Sequence, residues 1–334
     1  MKKFICLILI FILVFSFCAC VPQSKEASME AMDTYMNFKV FGSNSMYAIE
    51  EIQDEVKALE GSLSATDKKS EIFGLNNNGQ AKLSGDTIEL VNRSLELCDS
   101  LGGALDISVY PIVREWGFIS GDYKVPSGSE IEELLTKVNY KNIKVDNNTV
   151  TLKDGMQLDL GAVAKGYAAD KCLDIVGNEA LKSAILNFGG TVATYGLKPD
   201  GSRWKVAITD PDNTSEYFGY LSCETAVVAT SGGYERYFEK DGKTYIHIIN
   251  PETGYPVDNG VKSVSVVCSE GVYADALSTA LYVMGKDKAM EYFKKHRDFD
   301  FIILTDDNKM YISSGISADF TLCDGYDYEI VNIL

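Results

Sequence analysis

Asp275 and Thr279, an aspartate and a threonine four residues apart, could together bind a metal ion. The segment around them is predicted to be helical, so residues four apart lie on one face. A carboxylate and a hydroxyl suit Mg²⁺, which prefers oxygen ligands and takes few of them from the protein. The same position also fits an acid near a helix start, where the helix dipole favours negative charge. Spacing alone leaves both interpretations open.

A second candidate is the segment DLGAVAKGYAAD at 159–170, in which a strand ends at Asp159, a glycine turns the chain and a helix begins. Free N–H groups at a helix start attract anionic groups, and small residues let a ligand approach the backbone closely. Lys165 lies within the first turn, where it could reach a phosphate. On its own, such a junction more often reflects packing than ligand binding.

Two further segments combine glycines with polar and aromatic side chains. Gly189 and Gly190 follow a predicted strand, which indicates a turn with positive φ or backbone pressed against a ligand. The chain has two histidines. His247 is predicted to lie on a strand just before a Pro/Gly turn, whereas His296 belongs to a basic segment and is predicted to be a solvated helix end. A lone strand histidine is usually structural, but the nearby Arg236 favours a functional role for His247.

The elements that must position these residues mix helices and strands without the strict βαβ order of a doubly wound sheet. Apolar periodicity predicts helices at 46–60, 86–101, 129–138, 162–176, from about 274, and at 286–296. Strands are predicted at 35–41, in a hairpin over 142–160, through most of 183–270, at 301–304 and in a terminal hairpin, with a loop at 61–85. No Pro-rich linker or repeat follows residue 30, so the sequence favours one α+β domain.

The composition is that of a globular protein with an acidic surface. The chain has 334 residues, of which 46% are hydrophobic and 24% charged, enough to build a sizeable core. Its net charge of −17 argues against a nucleic-acid-binding protein, which needs a basic surface. A phosphorylated ligand is still compatible with this charge if a metal or local donors offset the phosphates.

The first twenty residues have the pattern of a bacterial lipoprotein leader. Lys2 and Lys3 precede an apolar run over 4–17 that is too short for a comfortable membrane span. A small residue directly before Cys20 resembles a lipobox, although Phe17 is bulkier than the usual Leu. The predicted organisation is a signal peptide at 1–19, a lipid-anchored tether at 20–30 and a folded domain at 31–334. Plain secretion or an uncleaved single anchor is the alternative.

Five cysteines follow the leader, namely Cys98, Cys172, Cys223, Cys268 and Cys323. They are odd in number, widely spaced and contain no CxxC pair, so neither a disulfide framework nor a zinc cluster is expected. Cys172 and Cys268 lie in apolar contexts and are predicted to act as small buried hydrophobes.

Five linked segments together resemble one family, the ApbE-type FAD:protein FMN transferases. They are DLGAVAKGYAAD at 159–170, LNFGG at 186–190, SGGYERYF at 231–238, HIINPETGYPV at 247–257 and SVSVVCSEGVYADALSTALYVMG at 263–285. Their order and spacing match as well, and the resemblance extends from about Met32 to the C-terminus. It implies a single ApbE-like, T-fold-like α+β domain with mixed or antiparallel sheets and flanking helices.

The resemblance also implies a role for each matching residue. The Mg²⁺ ligands would be Asp275, Thr279 and the backbone carbonyl of Ala162, and His247 would lie beside the pyrophosphate of FAD. The positions that contact FAD in the family match Met32, Ala104, Leu105, Asp106, Asp159, Lys165 and Ile249.

Two positions depart from the family pattern. Asp33 replaces the usual Gly after Met32, and Thr66 stands where many members stack an aromatic residue on the flavin. FAD is therefore expected either to bind more weakly or to rely on side chains other than the one at position 66.

The implied activity is Mg²⁺-dependent transfer of FMN from FAD to a Thr or Ser hydroxyl of an acceptor flavoprotein, with release of AMP. His247 and Asp275 are both candidates for the base that takes the hydroxyl proton. An FAD pyrophosphatase that yields FMN and AMP is one alternative. A non-catalytic FAD-binding lipoprotein is another, against which the retained Asp275, Thr279 and His247 argue.

By the same resemblance, the acceptor would be a respiratory membrane subunit of the sodium-pumping NADH:quinone reductase (Nqr) or Rnf type. Another extracytoplasmic protein with a Ser/Thr flavinylation motif is the alternative acceptor. The leader then places the enzyme at the extracytoplasmic face of the cell membrane, held there by lipid on Cys20.

Overall fold

The structure, a computed structural model, describes residues 23–179 and 181–334. The signal peptide predicted at 1–19 and the lipidation site predicted at Cys20 lie outside the described residues. Within the described ranges, none of the helices is both long enough and apolar enough to span a bilayer.

A nine-stranded sheet runs through the molecule. In spatial order its strands are β1 (Ser24–Ala31), β2 (Thr34–Phe41), β6 (Ser183–Asn187), β7 (Thr191–Tyr195), β10 (Ala226–Gly232), β13 (Val261–Cys268), β14 (Asp300–Thr305), β15 (Lys309–Ser313) and β17 (Glu329–Ile333). Neighbouring strands are antiparallel except for the parallel pair β15–β17. The apolar run of β13 is buried almost throughout, as expected for a central strand covered on both faces.

Three smaller β elements surround this sheet. One is a three-stranded sheet of β3 (Gln80–Lys82), β5 (Thr149–Thr151) and β4 (Lys144–Asp146). Another joins β16 (Phe320–Leu322), β9 (Tyr217–Cys223) and β8 (Trp204–Thr209). The third is a hairpin of β11 (Tyr237–Lys240) and β12 (Lys243–Ile246).

Helices cover one face of the nine-stranded sheet, namely α1 (Ser45–Leu63), α2 (Glu71–Asn78), α3 (Gly85–Ser100), α6 (Ala164–Asn178) and α7 (Gly271–Lys295). The short helices α4 (Tyr110–Glu115) and α5 (Gly128–Leu135) instead pack with the β11–β12 hairpin in a separate core. Alternate strand residues point to opposite faces, so that Val227 packs into the helix-side core and Val228 into a second core beneath β8 and β9. The single α+β domain expected from the sequence is confirmed.

Several helices follow directly from apolar spacing. In α1, Ile49, Ile52, Val56 and Leu59 are all buried, which confirms the helix predicted at 46–60. The two helices predicted after residue 270 are joined into α7, with a kink at Gly285, whose φ of 76° lies in the left-handed region. His296 follows the end of α7 and is exposed, as predicted.

Other local predictions are wrong. The tether predicted at 20–30 ends earlier than expected, because from Ser24 onward the chain forms β1, paired with β2 along its whole length. The loop predicted at 61–85 contains α2 and β3. Ser70 starts α2 by accepting a hydrogen bond from the Phe73 backbone N–H.

Two predicted hairpins are also only partly correct. Within 142–160 only the short strands β4 and β5 pair, and the rest of that segment is irregular. At the C-terminus, β17 pairs with β15 in parallel, so those two strands do not form a hairpin.

Candidate active site

A cleft with two connected cavities lies at one end of the nine-stranded sheet. The first cavity encloses about 1000 Å³ and the second about 790 Å³, each including space open to solvent. The residues that line both are Ile119, Asp159, Gly161, Lys165 and Arg236. Two cationic side chains and one acid therefore lie where the cavities meet.

The structure brings the sequence-predicted site residues to this cleft. Those that line the first cavity are Ala104, Leu105, Asp106, Asp159, Ala162, Lys165, His247, Ile249, Asp275 and Thr279. Met32 lines the second cavity, together with Asp33 and Thr66. The segments meet because the antiparallel strands place the end of β1 and the end of β10 at the same end of the sheet.

Asp275 is the most deeply placed acid of the cleft, with 6% of its surface exposed. Its Oδ2 accepts a hydrogen bond from the Gly166 backbone N–H at 2.8 Å, and Oδ1 lies 3.4 Å from the Thr191 hydroxyl. The first turn of α7 contains no acid, because Asp275 is the fifth residue of the helix. The interpretation of Asp275 as a simple helix-start acid is therefore not supported by the structure.

Thr279 lies one helical turn after Asp275 and shares its face of α7. The Ser231 hydroxyl, at the end of β10, lies 3.1 Å from Thr279 Oγ1 and 2.8 Å from Ser278 Oγ. This hydroxyl cluster fixes the Thr279 side chain beside the carboxylate of Asp275 at the rim of the first cavity.

Helices α6 and α7 cross at their first turns, and this crossing sets the position of Asp275. A Cβ atom on Gly166 would overlap the Gly271 carbonyl and lie 2.7 Å from the Asp275 Cβ. Asp170 holds the other side of the crossing, since its two oxygens accept the backbone N–H groups of Gly271 and Val272 at 2.6 and 2.8 Å. Only glycine allows so close an approach of the two helices.

The oxygen donors of the first cavity match the coordination preferences of Mg²⁺. Asp275, Thr279 and Ala162 all line it and offer a carboxylate, a hydroxyl and a backbone carbonyl. Within residues 23–179 and 181–334, no group of three or more His, Cys, Asp and Glu side chains could hold a metal ion. A metal bound here would take few protein ligands and only oxygens, which fits Mg²⁺ and does not fit a structural zinc site.

His247 lies one residue after the end of β12, not on a strand as predicted. Its backbone N–H donates to the Arg236 carbonyl at 3.0 Å, and its Nδ1 lies 3.2 Å from the same oxygen. Because a carbonyl oxygen can only accept, Nδ1 carries the proton and Nε2 keeps a free lone pair. Burial, and then the charges of Arg236 and Lys165, lower the pKa of His247 to about 4. The imidazole is therefore neutral at pH 7.

Two further acids of the cleft have raised pKa values. Burial raises the pKa of Asp159, whose Oδ1 accepts the Gly161 N–H at 2.8 Å. Burial also raises the pKa of Glu235, while the charge of Lys165 opposes this shift. Glu235 is not among the residues predicted from sequence. Its place next to Arg236 in the SGGYERYF segment was the available signal.

Asp106 lines the first cavity, but its carboxylate is engaged within the protein. Oδ1 accepts hydrogen bonds from the backbone N–H and the hydroxyl of Ser108, and Oδ2 accepts the Tyr140 N–H. The Asp106 carboxylate therefore stabilises the conformation of the 104–109 segment. A ligand in the first cavity would contact this segment through its backbone groups and the side chains of Ala104 and Leu105.

The second cavity is bounded by the tight turn between β1 and β2. Met32 and Asp33 have φ values of 50° and 58°, so both adopt the left-handed conformation of a two-residue hairpin turn. Aspartate tolerates this conformation better than most residues, which explains how Asp33 can replace Gly. The Met32 N–H donates to Glu60 Oε1 at 2.6 Å. The largely buried Tyr110 lines this cavity as well, which supplies an aromatic ring in the absence of one at Thr66.

The sequence and the fold are both similar to those of known proteins. The chain is 30% identical to the FAD:protein FMN transferase of Haemophilus influenzae over 328 residues, which cover 92% of this chain and 95% of that protein. It is 34% identical to the FAD:protein FMN transferase of Treponema pallidum over 289 residues, which cover 80% of each chain.

Solved structures show the same architecture. The ApbE protein of Thermotoga maritima superposes with a TM-score of 0.82 at 32% identity, covering 88% of this chain and 98% of that one. The flavin transferase ApbE of Vibrio cholerae gives a TM-score of 0.79 at 27% identity, covering 89% and 99%. The ApbE family model matches residues 32–303, which is most of the chain and includes every cleft residue named above. The chain therefore belongs to the ApbE family.

Proposed function

We propose that the chain is an FAD:protein FMN transferase that uses Mg²⁺ to move FMN from FAD to a Thr or Ser hydroxyl of an acceptor flavoprotein, with release of AMP. The observation that carries this proposal is the convergence, in one two-part cleft, of three oxygen donors, two cationic side chains and a neutral histidine. The activity named for the Haemophilus and Treponema relatives supports the transferase class.

The shape of the cleft suits FAD, which has two ring systems joined by a pyrophosphate. Lys165 and Arg236 lie where the two cavities meet, so they would offset the pyrophosphate charge. The flavin would occupy the second cavity, between Met32 and Tyr110, and the adenosine part the first.

The reaction requires a hydroxyl oxygen of the acceptor to attack the phosphorus on the FMN side. His247 Nε2 takes the hydroxyl proton, a phosphoester bond forms, and the bond from that phosphorus to the bridging oxygen breaks, so that AMP leaves. Mg²⁺ held by Asp275, Thr279 and the Ala162 carbonyl would neutralise phosphate charge as it develops. Lys165 and Arg236 hold the phosphates in line, since positioning and charge neutralisation supply most of the catalysis in such reactions.

The geometry favours His247 over Asp275 as the base. The Asp275 carboxylate already accepts the Gly166 N–H and is the one carboxylate among the three proposed metal ligands. His247 in contrast has its Nδ1 engaged by the Arg236 carbonyl and its Nε2 unprotonated, which is the arrangement of a general base.

The cellular setting is part of the same proposal. The leader with its lipobox-like Cys20 supports a lipoprotein held at the extracytoplasmic face of the cell membrane. Its acceptor would then be an extracytoplasmic flavoprotein, such as a subunit of the Nqr or Rnf type.

Co-expression with the flavin-carrying subunit of a sodium-pumping NADH:quinone reductase tests the proposal. Mass spectrometry of that subunit is expected to show a gain of about 438 Da, the mass of FMN less water, as a covalent modification. The gain should require both this chain and the acceptor hydroxyl, so that a Thr→Ala acceptor serves as the control. Free FMN and AMP without an adduct would indicate an FAD pyrophosphatase instead, and bound but unconverted FAD would indicate a pure binding protein.

A further inference from the structure

The nine-stranded sheet has two ends with different surroundings. The cleft occupies the end where β1 and β6 stop and β2 and β7 begin. At the opposite end, Ser24 pairs with Phe41, Phe41 pairs with Ser183, and Ala184 pairs with Tyr195. We call this second end, formed by residues 42–47, 181–182 and 196–198, the far end.

The far end exposes three large apolar side chains. Met46 and Tyr47 lie in the first turn of α1 and are 56% and 62% exposed, and Leu197, just after β7, is 38% exposed. Lys182 is exposed there, and Lys198 extends over the Trp204 ring at 5.6 Å. A tyrosine and aliphatic side chains flanked by lysines are typical of surfaces at a membrane–water interface.

The chain enters the fold at this same end. Ser24 follows Cys20 by four residues, so an extended chain keeps Cys20 within about 14 Å of the far end. The Gly42 N–H donates to the Gln23 carbonyl at 2.8 Å, which ties the entering chain to the turn before Met46. Lipid on Cys20 would thus bring Met46, Tyr47 and Leu197 against the bilayer.

We propose that the far end rests on the lipid surface and that the cleft faces away from it. This inference rests on the lipid anchor of the proposed function.

Two elements set the height of the cleft above the bilayer. The eight residues of β1 span about 26 Å, and the 19 residues of α1, which run from the far end to the second cavity, span about 28 Å. The acceptor hydroxyl must therefore lie on an extramembrane segment at roughly this height above the bilayer.

Fluorescence quenching in vesicles tests this orientation. The full-length chain, processed in a bacterial host, is reconstituted into phosphatidylethanolamine–phosphatidylglycerol vesicles that contain lipids with a quencher near the headgroup. Tyr47→Trp is compared with Tyr35→Trp, a matched control that is 63% exposed at the cleft end of β2. The two native tryptophans, Trp116 and Trp204, are buried and supply a common background. The added fluorescence of the Tyr47→Trp variant is expected to fall at least twofold and that of the Tyr35→Trp variant to stay unchanged.

Other outcomes separate this inference from the proposed function. Flotation of the vesicles in a density gradient reports separately whether the chain is bound to them. If the chain floats with the vesicles but both variants are quenched equally, or Tyr35→Trp alone is quenched, the orientation is overturned. If the chain does not float, both the anchor and the orientation are contradicted. FAD affinity, measured separately in detergent, is expected to be the same in both variants. If the parent chain does not bind FAD but the quenching pattern is as expected, the proposed transferase function is contradicted and the orientation is still supported.

Discussion

Asp275 has a structural and a proposed chemical role, and a substitution can separate the two. Asp275→Asn keeps an oxygen to accept the Gly166 N–H but removes the charge, so we expect a folded chain with at least about a hundredfold less FMN transfer and no dependence on Mg²⁺. Asp275→Ala should also lose about 1–3 kcal/mol of stability, because it leaves a buried N–H unsatisfied. Transfer rates measured across a Mg²⁺ titration, together with thermal melts, report both effects.

Asp170→Asn is the control for this experiment. Asp170 also binds backbone N–H groups at the crossing of α6 and α7 but does not line the cleft. Its variant keeps only one of the two accepting oxygens, so we expect lower stability and a weaker response to Mg²⁺, but a transfer rate that still depends on Mg²⁺. Full activity of Asp275→Asn at millimolar Mg²⁺ would show that this carboxylate is not a metal ligand.

His247→Ala is expected to slow transfer by at least about a hundredfold with a much smaller change in FAD affinity, as for a general base. A structural histidine would give the opposite result, lost stability with a near-normal rate per folded molecule. Single-turnover rate, FAD affinity and melting temperature measured on one preparation distinguish the two.

The protonation of His247 can be followed directly, because the chain has only one other histidine, His296. In the chain without FAD or metal, the His247 ring resonance in proton NMR should titrate with a midpoint near pH 4, since burial and nearby cations lower its pKa. His247→Gln assigns the signal. The pKa of His247 is lower in the folded chain than the value of about 6.5 in the unfolded chain. The stability that His247 contributes is therefore fully present above about pH 6.5 and is lost as the pH falls through about 4. A midpoint between pH 6 and 7 would contradict this environment.

Residue types with distinctive chemistry could be picked out from sequence, but their partners could not. Asp275, Thr279, Lys165 and His247 stand out by spacing and context, and the structure brings all four to one cleft. The contact of Met32 with Glu60 joins residues 28 positions apart and leaves no local pattern in the chain. The hydrogen bond from the Tyr140 N–H to Asp106 is equally invisible in sequence, because it joins residues 34 positions apart.

At the scale of elements, the crossing of α6 and α7 determines whether the metal ligands can assemble. Gly166→Ala would force the two helices apart, because the added methyl group overlaps the Gly271 carbonyl. We expect a loss of about 1–3 kcal/mol of stability and at least a tenfold weaker response to Mg²⁺. Urea unfolding and Mg²⁺-dependent transfer measure these changes.

Gly177→Ala in the same helix is the matched control. A methyl group there meets no atom within 4 Å, so stability should rise by up to about 1 kcal/mol with activity unchanged. Equal effects of the two substitutions would show that the helix crossing does not control the site.

The elements that sequence predicted well are those whose apolar residues repeat on one face. Helix α1 is an example, since its burial follows the spacing of Ile49, Ile52 and Val56. Strand β1 lacks such a pattern because it is a mostly exposed edge strand of small and polar residues, held by pairing with β2. Helix α2 is short and depends on the Ser70 cap, and α4 has only six residues, so neither offers a long periodic signal.

At the scale of the whole molecule, the cleft is built from segments between Met32 and Thr279, so it forms only when parts of the chain that are far apart in sequence have come together. The order of strands explains why sequence could name the residues but not their arrangement. Strand β2 pairs with β6, about 140 positions further on, and no local pattern specifies that partner. The resemblance to a known family carried this long-range information, which periodicity alone does not contain.

The attachment of the whole molecule to the membrane gives the last prediction. After removal of residues 1–19, with Lys2 and Lys3, the net charge becomes −19, which disfavours contact with anionic lipid. In 23–179 and 181–334 no helix is long and apolar enough to span the membrane. Cys20→Ser should therefore move the chain from the membrane to the soluble extracytoplasmic fraction, or leave an unprocessed precursor. Cys18→Ser, two residues earlier, should fractionate like the parent, because only the cysteine of the lipobox receives lipid. Immunoblots of the separated fractions measure both variants. Unchanged fractionation and migration of Cys20→Ser would contradict the lipid anchor. Lowering the salt concentration should not return the Cys20→Ser variant to the membrane. The reason is that weaker screening strengthens the repulsion between the acidic chain and anionic lipid.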